Sequence, residues 1–268
     1  GDTGEQGPPG IVEDVTIEDV EGLSEALGNL EKVITPLLPI VNCADLLTMY
    51  KGDLTLTETP LINATGCTSL RDVFRNCSNL RTVKYIHTPD VTDMYRAFQG
   101  CTSLTSVPAL DTSNVTEMYN MFYGCTSLTS VPALDLSSAE RTDAMFRGCT
   151  SLTSVPALDL SSAERTDAMF RGCTSLTSVT FIGDVVPPYG SSMFLNTPIQ
   201  AGNGYIFVPD DMVDAYKAAS GWSNRANVIK GISEKEGLQS ETESFNLMIK
   251  ENPTMFALSD EDVEELDE

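Results

Sequence analysis

Histidine is almost absent from this sequence, because His87 is the single one among 268 residues. Hydrolytic triads, metal clusters and most acid–base schemes need a histidine beside another reactive group. His87 follows Ile86 in a repeat loop, where we expect a surface or turn residue. Gly-rich phosphate loops and the G-x-S-x-G elbow of hydrolases are missing as well. The sequence therefore predicts a protein that is not an enzyme and carries no cofactor or metal.

Basic residues are scarce, with 16 Lys and Arg against 39 Asp and Glu and a net charge of −23. A chain this acidic repels nucleic acid and anionic lipid headgroups, so we exclude both as partners. The excess lies at the ends, with 11 acids and 2 bases in residues 1–55 and 15 acids and 5 bases in residues 200–268. No apolar run approaches the roughly 18 residues of a membrane-spanning helix, so no membrane insertion is expected.

A unit of 24 residues repeats through the middle of the chain. Residues 128–151 and 152–175 are identical, and residues 104–127 are a near copy. Further units in the same register begin at Leu56, Leu80 and Leu176, so that six units fill residues 56–199. A unit this short cannot bury its apolar face alone, and the units must therefore stack as a solenoid with capped ends.

Within one unit the apolar spacing changes character. Leu104, Val107 and Leu110 predict a short extended segment, with a bend at Pro108. Helical spacing then follows, at Val115, Met118, Met121, Phe122 and Cys125. Residues 111–114 supply turn and N-cap chemistry between the two, and Gly124 is placed to end the helix. We therefore predict an α/β solenoid in which each unit is a strand, a turn and a short helix.

The flanking segments contain candidate caps. Residues 11–42 hold a short heptad stripe, which predicts a helical stalk or N-terminal cap, made by Val20, Leu23, Leu27, Leu30 and Ile34. Residues 43–55 are a connector. Residues 200–236 predict a C-terminal cap, with a strand at 205–209, an amphipathic helix at 211–219, and Trp222 and Val228 sealing the last rung. Residues 237–268 form an acidic tail, which we expect to be partly disordered or docked on the solenoid.

The seven cysteines include no C-x-x-C pair, which argues against a zinc site. Five of them recur every 24 residues, at Cys77, Cys101, Cys125, Cys149 and Cys173. Cys67 falls at the register of Val115, and Cys43 precedes the array. The odd count and the repeated rung position argue against a disulfide framework. We expect a ladder of small buried thiols, which suits assembly in a reducing cytoplasm.

The pattern L-x-x-V-P-x-L-D-T-S-x-V-T-x-M-x-x-M-F-x-G-C-x-S resembles the BspA-type leucine-rich repeats of bacterial surface proteins. Residues 104–127 match it most fully, at Asp111, Thr112, Ser113, Val115, Met118, Met121, Phe122, Gly124 and Cys125. The resemblance covers residues 56–232, including the predicted C-terminal cap. It implies a leucine-rich-repeat fold and a role in attachment or recognition at cell surfaces, but it names no ligand.

Residues 1–10 carry glycine at every third position together with Pro8 and Pro9, which is the signature of a collagen-like triple helix. Residues 15–27 resemble segments of tailed-phage fibre proteins. Together these resemblances imply a trimeric stalk before a repeat-built head, as in a receptor-binding fibre of a phage virion. A bacterial cell-surface adhesin and a structural virion component stay open as alternatives. Because the first residue is Gly1 rather than Met, we expect a fragment or a processed product.

A binding surface is sought where the units differ at exposed positions. The second and third units carry aromatic and basic residues of the kind that anchor interfaces, namely Tyr85, His87, Tyr95, Arg96, Tyr119 and Tyr123. Tyr119 and Tyr123 are four residues apart, which would place them on one face of the predicted helix. The expected partner is a bacterial surface glycan or protein. Acids that recur in the identical units are expected to be turn and surface residues, since an active site is seldom duplicated: Asp135, Glu140, Asp159 and Glu164.

Overall fold

The computed structural model describes residues 41–235 and residue 237. Its regular elements are helix α1 (Cys43–Met49), strands β1 (Ile62–Asn63), β2 (Ile86–His87) and β3 (Ser178–Thr180), helix α2 (Pro198–Ala201), strand β4 (Tyr205–Val208), helix α3 (Val213–Ala218) and strand β5 (Ile229–Gly231). Short 3₁₀ segments lie at Asp210–Met212, Trp222–Arg225 and Ile232–Glu234. Strands β1 and β2 form a parallel pair, and β3, β4 and β5 form a parallel sheet in that order.

Three predicted segments lie outside the described residues. These are the collagen-like triplets of residues 1–10, the heptad stripe of the predicted stalk, and the acidic tail beyond residue 237. Among the described helices, none is long and apolar enough to cross a membrane.

Successive units stack as parallel rungs of a solenoid. Parallel bridges join residues 24 positions apart in one continuous column, through Ser69, Asp93, Glu117, Arg141 and Arg165. Backbone N–H groups of one rung donate to carbonyls of the next, as from Met94 to Glu117 and from Phe98 to Met121, both at 2.9 Å. Each rung therefore satisfies the backbone of its neighbour, which is why the units depend on stacking. The repeat solenoid expected from the sequence is the fold.

The short helix predicted in each unit is wrong, because that segment is a chain of tight turns. In the third unit the Cys125 N–H donates to the Phe122 carbonyl at 3.1 Å, whereas the Phe122 N–H donates across to Met145 of the next rung at 2.9 Å. Asn120 has φ of 59° and Gly124 has φ of 74°, left-handed values that an α-helix does not contain. Turns of three or four residues return apolar side chains to the core at intervals that imitate helical spacing.

Strands are also rarer than the predicted one per unit. Pro60, Pro108, Pro132 and Pro156 occupy one column and lack the N–H that a regular ladder needs. The same position holds Lys84 in the second unit and Thr180 in the sixth, and strands β2 and β3 form in those two units. Regular strands are found toward the two ends of the array, and strand β1 forms two residues after Pro60, so proline at this position does not by itself prevent a strand.

A column of stacked phenylalanines runs through the core. Adjacent rings lie 5.4 to 5.6 Å apart between centroids along Phe74, Phe98, Phe122, Phe146, Phe170 and Phe194. Beside them the repeating cysteines donate S–H hydrogen bonds to the preceding rung, as from Cys125 to the Phe98 carbonyl at 3.1 Å. These five thiols are free and buried, as the ladder interpretation expects.

The N-terminal end of the array is closed by helix α1. A disulfide joins Cys43 to Cys67, 24 residues later, with Cα atoms 5.3 Å apart. The Tyr50 ring continues the aromatic column, stacking on Phe74 at 5.3 Å. The expectation that no disulfide forms is therefore wrong for this pair. The physical reason is that Cys43 stands one repeat length before Cys67, so helix α1 places the two thiols on neighbouring levels.

Trp222 seals the C-terminal end and is 1% exposed. Its indole N–H donates to the Pro187 carbonyl at 2.7 Å, and its ring meets Tyr189 and Tyr216 edge-on. Strand β4 and helix α3 lie within the segments where the sequence predicts a strand and an amphipathic helix. Val228 is also buried at this end.

Candidate binding surface

The tight-turn segments gather most of the basic residues of the array. Of the nine Lys and Arg in residues 56–199, seven lie in these segments, and only Arg81 and Lys84 lie elsewhere. Three of the predicted aromatic residues lie there too. We call this surface the arginine–tyrosine side; it comprises Arg71, Arg75, Tyr95, Arg96, Tyr119, Tyr123, Arg141, Arg147, Arg165 and Arg171.

A stack of planar groups runs along the first rungs of this side. Tyr95 and Tyr119 occupy the same position on adjacent rungs, and their rings stack at 5.1 Å with an interplanar angle of 21°. The guanidinium groups of Arg71 and Arg96 each lie 4.4 Å from the Tyr95 centroid. Arg141 lies 4.9 Å from the Tyr119 centroid. Cation–π contacts of this kind fix the side chains in place and leave ring edges, phenol groups and guanidinium N–H groups at the surface.

Several of these arginines are paired with carboxylates. Arg71 contacts Asp93 at 2.9 Å, and Arg141 contacts Glu117 at 3.7 Å. Asp143 lies between Arg141 and Arg165, at 3.3 and 3.1 Å, and its side chain is only 4% exposed. Burial raises the pKa of Asp143, and the two arginines offset that rise only in part. The paired arginines therefore serve first to hold the rungs together.

Tyr123 occupies a different column from Tyr119. The structure has no helix here, so the argument that a four-residue spacing aligns the two rings does not hold. Tyr119 stacks back on Tyr95 of the preceding rung, whereas Tyr123 lies under Arg147 of the following rung, with 5.2 Å from guanidinium carbon to ring centroid. Both remain partly exposed.

Tyr85 and His87 lie on a different part of the rung from the other four predicted residues. They flank Ile86 in the segment of strand β2, and their rings are tilted at 6.5 Å from each other. Burial raises the pKa of Tyr85, with a smaller contribution from Asp111. Four of the six predicted residues thus belong to the arginine–tyrosine side, and two belong to the extended segments.

In later rungs the extended segments line a shallow groove of about 580 Å³. Leu110, Ala133, Leu134 and Ile182 provide apolar walls, and Asp111, Asp135 and Asp159 provide the acids. Each aspartate accepts a hydrogen bond from the serine hydroxyl two residues on, at 2.6 to 2.7 Å. These hydrogen bonds lower the pKa of Asp135. The recurring aspartates thus close turns, and the groove itself was not foreseen, because it depends on how the rungs stack.

The repeating cysteines are buried, and burial changes the state of their thiols. Burial raises the pKa of the Cys173 thiol to about 12 and holds the pKa of Cys125 well above its ordinary value, so these thiols stay protonated at neutral pH. In the part of the chain that the structure describes, no three His, Cys, Asp or Glu side chains group so as to hold a metal ion.

Comparisons with known proteins give one family profile over part of the chain and a distant structural likeness. A family profile described as a Mycoplasma protein of unknown function, DUF285, matches residues 68–180, which is less than half of the chain. Among solved structures, the chain is similar to a crystal structure of a T. pallidum leucine-rich-repeat protein, with 20% identity and a TM-score of 0.39 over 64% of this chain and 79% of that one. A likeness at that level carries no argument. No curated protein sequence matches the chain.

Proposed function

We propose that this protein is a non-enzymatic attachment protein that binds a bacterial surface molecule, a glycan or a protein, through its solenoid. The proposal rests on the observation that otherwise similar rungs carry different side chains at their surface. The second and third rungs hold Tyr95, Tyr119 and Tyr123 with their stacked arginines, whereas two later rungs are identical in sequence. Rigid aromatic and arginine groups lose little entropy on binding and are frequent interface anchors.

The proposal that no reaction is catalysed is supported by the state of the reactive groups. Buried cysteines are held as thiols, the groove aspartates accept hydrogen bonds that close turns, and the His87 ring lies 6.5 Å from the Tyr85 ring. Repetition also argues for a scaffold, because the same acids recur at the same place in rung after rung.

The setting we propose is a tail fibre of a phage virion, trimeric through residues 1–42. Support comes from the collagen-like triplets and the fibre-like segment of residues 15–27. A bacterial cell-surface adhesin is the alternative, and the resemblance of the rungs to BspA-type repeats supports it equally. A structural virion component is the third candidate. Mass measurement in solution on the full chain separates them in part: a trimer supports the stalk, and a monomer would remove the argument for a fibre.

Binding of the fluorescently labelled full chain to a panel of bacterial cells tests attachment. We expect saturable binding to some strains, which Tyr95→Ala with Tyr119→Ala weakens about tenfold or more, since anchors of this type contribute about 2 kcal/mol or more. Tyr205→Ala removes a partly exposed tyrosine from the C-terminal cap and is the matched control. Failure of the wild-type chain to bind any strain would favour a purely structural role instead.

A further inference from the structure

Two arginines in one column of the arginine–tyrosine side lack a carboxylate partner among the described residues. Arg75 in the same column contacts Asp72 at 3.5 Å, and Arg96 in another column also lacks a carboxylate partner there. Tyr123, Arg147 and Arg171 occupy the same position on three consecutive rungs. The rung step is 5.6 Å, measured between the core rings of Phe122, Phe146 and Phe170. Arg147 is held over the Tyr123 ring at 5.2 Å. Two guanidinium groups are thus presented one rung apart from a rigid backbone.

Neither of these two arginines is neutralised within the described residues. Arg71, Arg141 and Arg165 each have a carboxylate within 4 Å, but Arg147 and Arg171 have none in the described part of the chain. This is unexpected in a chain with 39 acids and only 16 bases. The excess of acids that repels polyanions lies mainly at the two ends of the chain, whereas residues 56–199 hold 13 acids and 9 bases. The unpaired arginines of the array are therefore available to an external anion.

The surface beside this column is open and offers hydrogen-bond acceptors. Gly148 and Gly172 follow the two arginines, and a Cβ added at either would meet only the backbone of the neighbouring glycine, at 3.6 Å or more. Two residues further on stand the exposed threonines Thr150 and Thr174. Each threonine hydroxyl donates to the preceding rung, so its lone pairs can still accept. A strip without side chains thus lies between guanidinium donors and hydroxyl acceptors.

We propose that Arg147, which is held over the Tyr123 ring, and Arg171 on the next rung form a binding site for a linear anionic glycan whose acidic groups are bound at the rung spacing. The planar guanidinium fork suits a sugar carboxylate or sulfate, and the threonine row suits the sugar hydroxyls. The site rests on the proposed attachment function and names the chemistry of its ligand. Single-stranded nucleic acid fits less well, because Arg147 covers one face of the Tyr123 ring, and Tyr95 and Tyr119 are covered by each other and by arginines, so the side offers no row of free rings for base stacking.

Binding of the full chain to polygalacturonate and dextran sulfate, with neutral dextran and a single-stranded DNA oligonucleotide as comparisons, tests the site. We expect salt-sensitive binding to the anionic glycans. The double variant Arg147→Ala with Arg171→Ala should weaken it about tenfold or more, because it removes the charge-assisted hydrogen bonds of both guanidinium groups. Arg147→Lys with Arg171→Lys should fall between, since lysine keeps the charge but loses the fork.

The matched control is Arg81→Ala with Lys84→Ala, which removes the same charge from the two basic positions of the array outside this side. Equal losses in the control and the test variant would overturn the site, and so would an unaffected test variant or tighter binding of DNA than of either glycan. The cell-binding assay on the same variants separates the two proposals. If cells bind the wild type and the test variant alike, attachment stands and the site fails. If the glycans bind through the two arginines but no cell is bound, the site stands and attachment fails.

Discussion

Truncation of Phe122 to alanine measures how strongly the stacked core holds the solenoid together. Phe122 is fully buried, and its ring lies 5.5 Å from Phe98 on one side and 5.6 Å from Phe146 on the other. The side chain therefore contributes to the core of its own rung and to the interfaces with both neighbouring rungs. In a solenoid, the free energy of unfolding is close to the sum of the stabilities of the single units and of the interfaces between adjacent units. Replacing a residue that belongs to two interfaces therefore lowers the free energy of unfolding more than replacing a residue that belongs to one.

The expected loss follows from the packing. Replacing a buried phenylalanine by alanine costs about 3 to 5 kcal/mol, and two lost ring contacts, at about 0.5 to 1.5 kcal/mol each, place this site at the upper end of that range. Phe122→Leu keeps much of the volume and should cost about 1 to 2 kcal/mol. Tyr123→Ala is the neighbouring control, because its ring is partly exposed and contacts Arg147, and its cost should stay below about 1 kcal/mol.

Urea unfolding followed by circular dichroism provides the three free energies of unfolding. The denaturant slope must be compared as well, because a repeat array that loses cooperativity at one rung would show a lower slope. The reasoning fails if Phe122→Ala unfolds within about 1 kcal/mol of the wild type, or if Tyr123→Ala costs as much.

Three further predictions concern register, cross-linking and titration. Deleting residues 152–175 should leave a folded, slightly less stable solenoid, because the identical unit 128–151 restores the register; circular dichroism and size-exclusion chromatography check this. Deleting one residue more should abolish cooperative unfolding. If that longer deletion were as stable as the 24-residue deletion, the stacking of units in register would be contradicted. Replacing Cys43 and Cys67 by serine should lower the free energy of unfolding by about 3 kcal/mol through the 24-residue loop, an effect that a reductant should reproduce in the wild type. Hydrogen bonds from Ser191 lower the pKa of Asp167, so its ionised form stabilises the fold above the unfolded-state pKa and this contribution is lost as the pH falls. Asp167→Asn should therefore destabilise at pH 7 and converge with the wild type in acid. The pKa of Asp143 is raised, so its protonated form stabilises the fold and this contribution is lost as the pH rises. Asp143→Asn and Asp167→Asn should therefore show opposite dependences of stability on pH, and similar pH profiles would refute these two pKa shifts.

Register and core composition could be predicted because they depend on one variable, the repeat length. A period of 24 residues places every Phe and Cys of a unit over its counterpart, whatever the backbone does between them. Trp222 could be assigned to the C-terminal seal for a similar reason, since a lone large apolar ring after the last unit must cover the open end of the core. These inferences need the stacking alone.

The local backbone could not be predicted, because two conformations share the same apolar spacing. The spacing of Met118, Phe122 and Cys125 fits a helix, and it fits a chain of turns equally well. The positive φ of Asn120 excludes the helix and fits the chain of turns. Asparagine is also common at the ends of helices and in loops, so its presence in the sequence does not distinguish the two conformations. The Cys43–Cys67 bond was missed for a related reason: the odd total of seven cysteines hid a pair that only helix α1 brings together.

Identical sequence does not give identical surface in this fold. Residues 128–151 and 152–175 are the same, yet Asp143 is enclosed by two arginines while Asp167 accepts from Ser191 of the next rung. The side chains of one rung contact residues of the rung that follows, so the hydrogen bonds and ion pairs of a repeat depend on its neighbour as much as on its own sequence. A single substitution in Tyr119, Tyr123 or Arg147 therefore changes contacts on two rungs at once. For that reason the ligand-binding variants must be judged together with their stability, since loss of binding without loss of unfolding free energy is the result that assigns the residue to recognition.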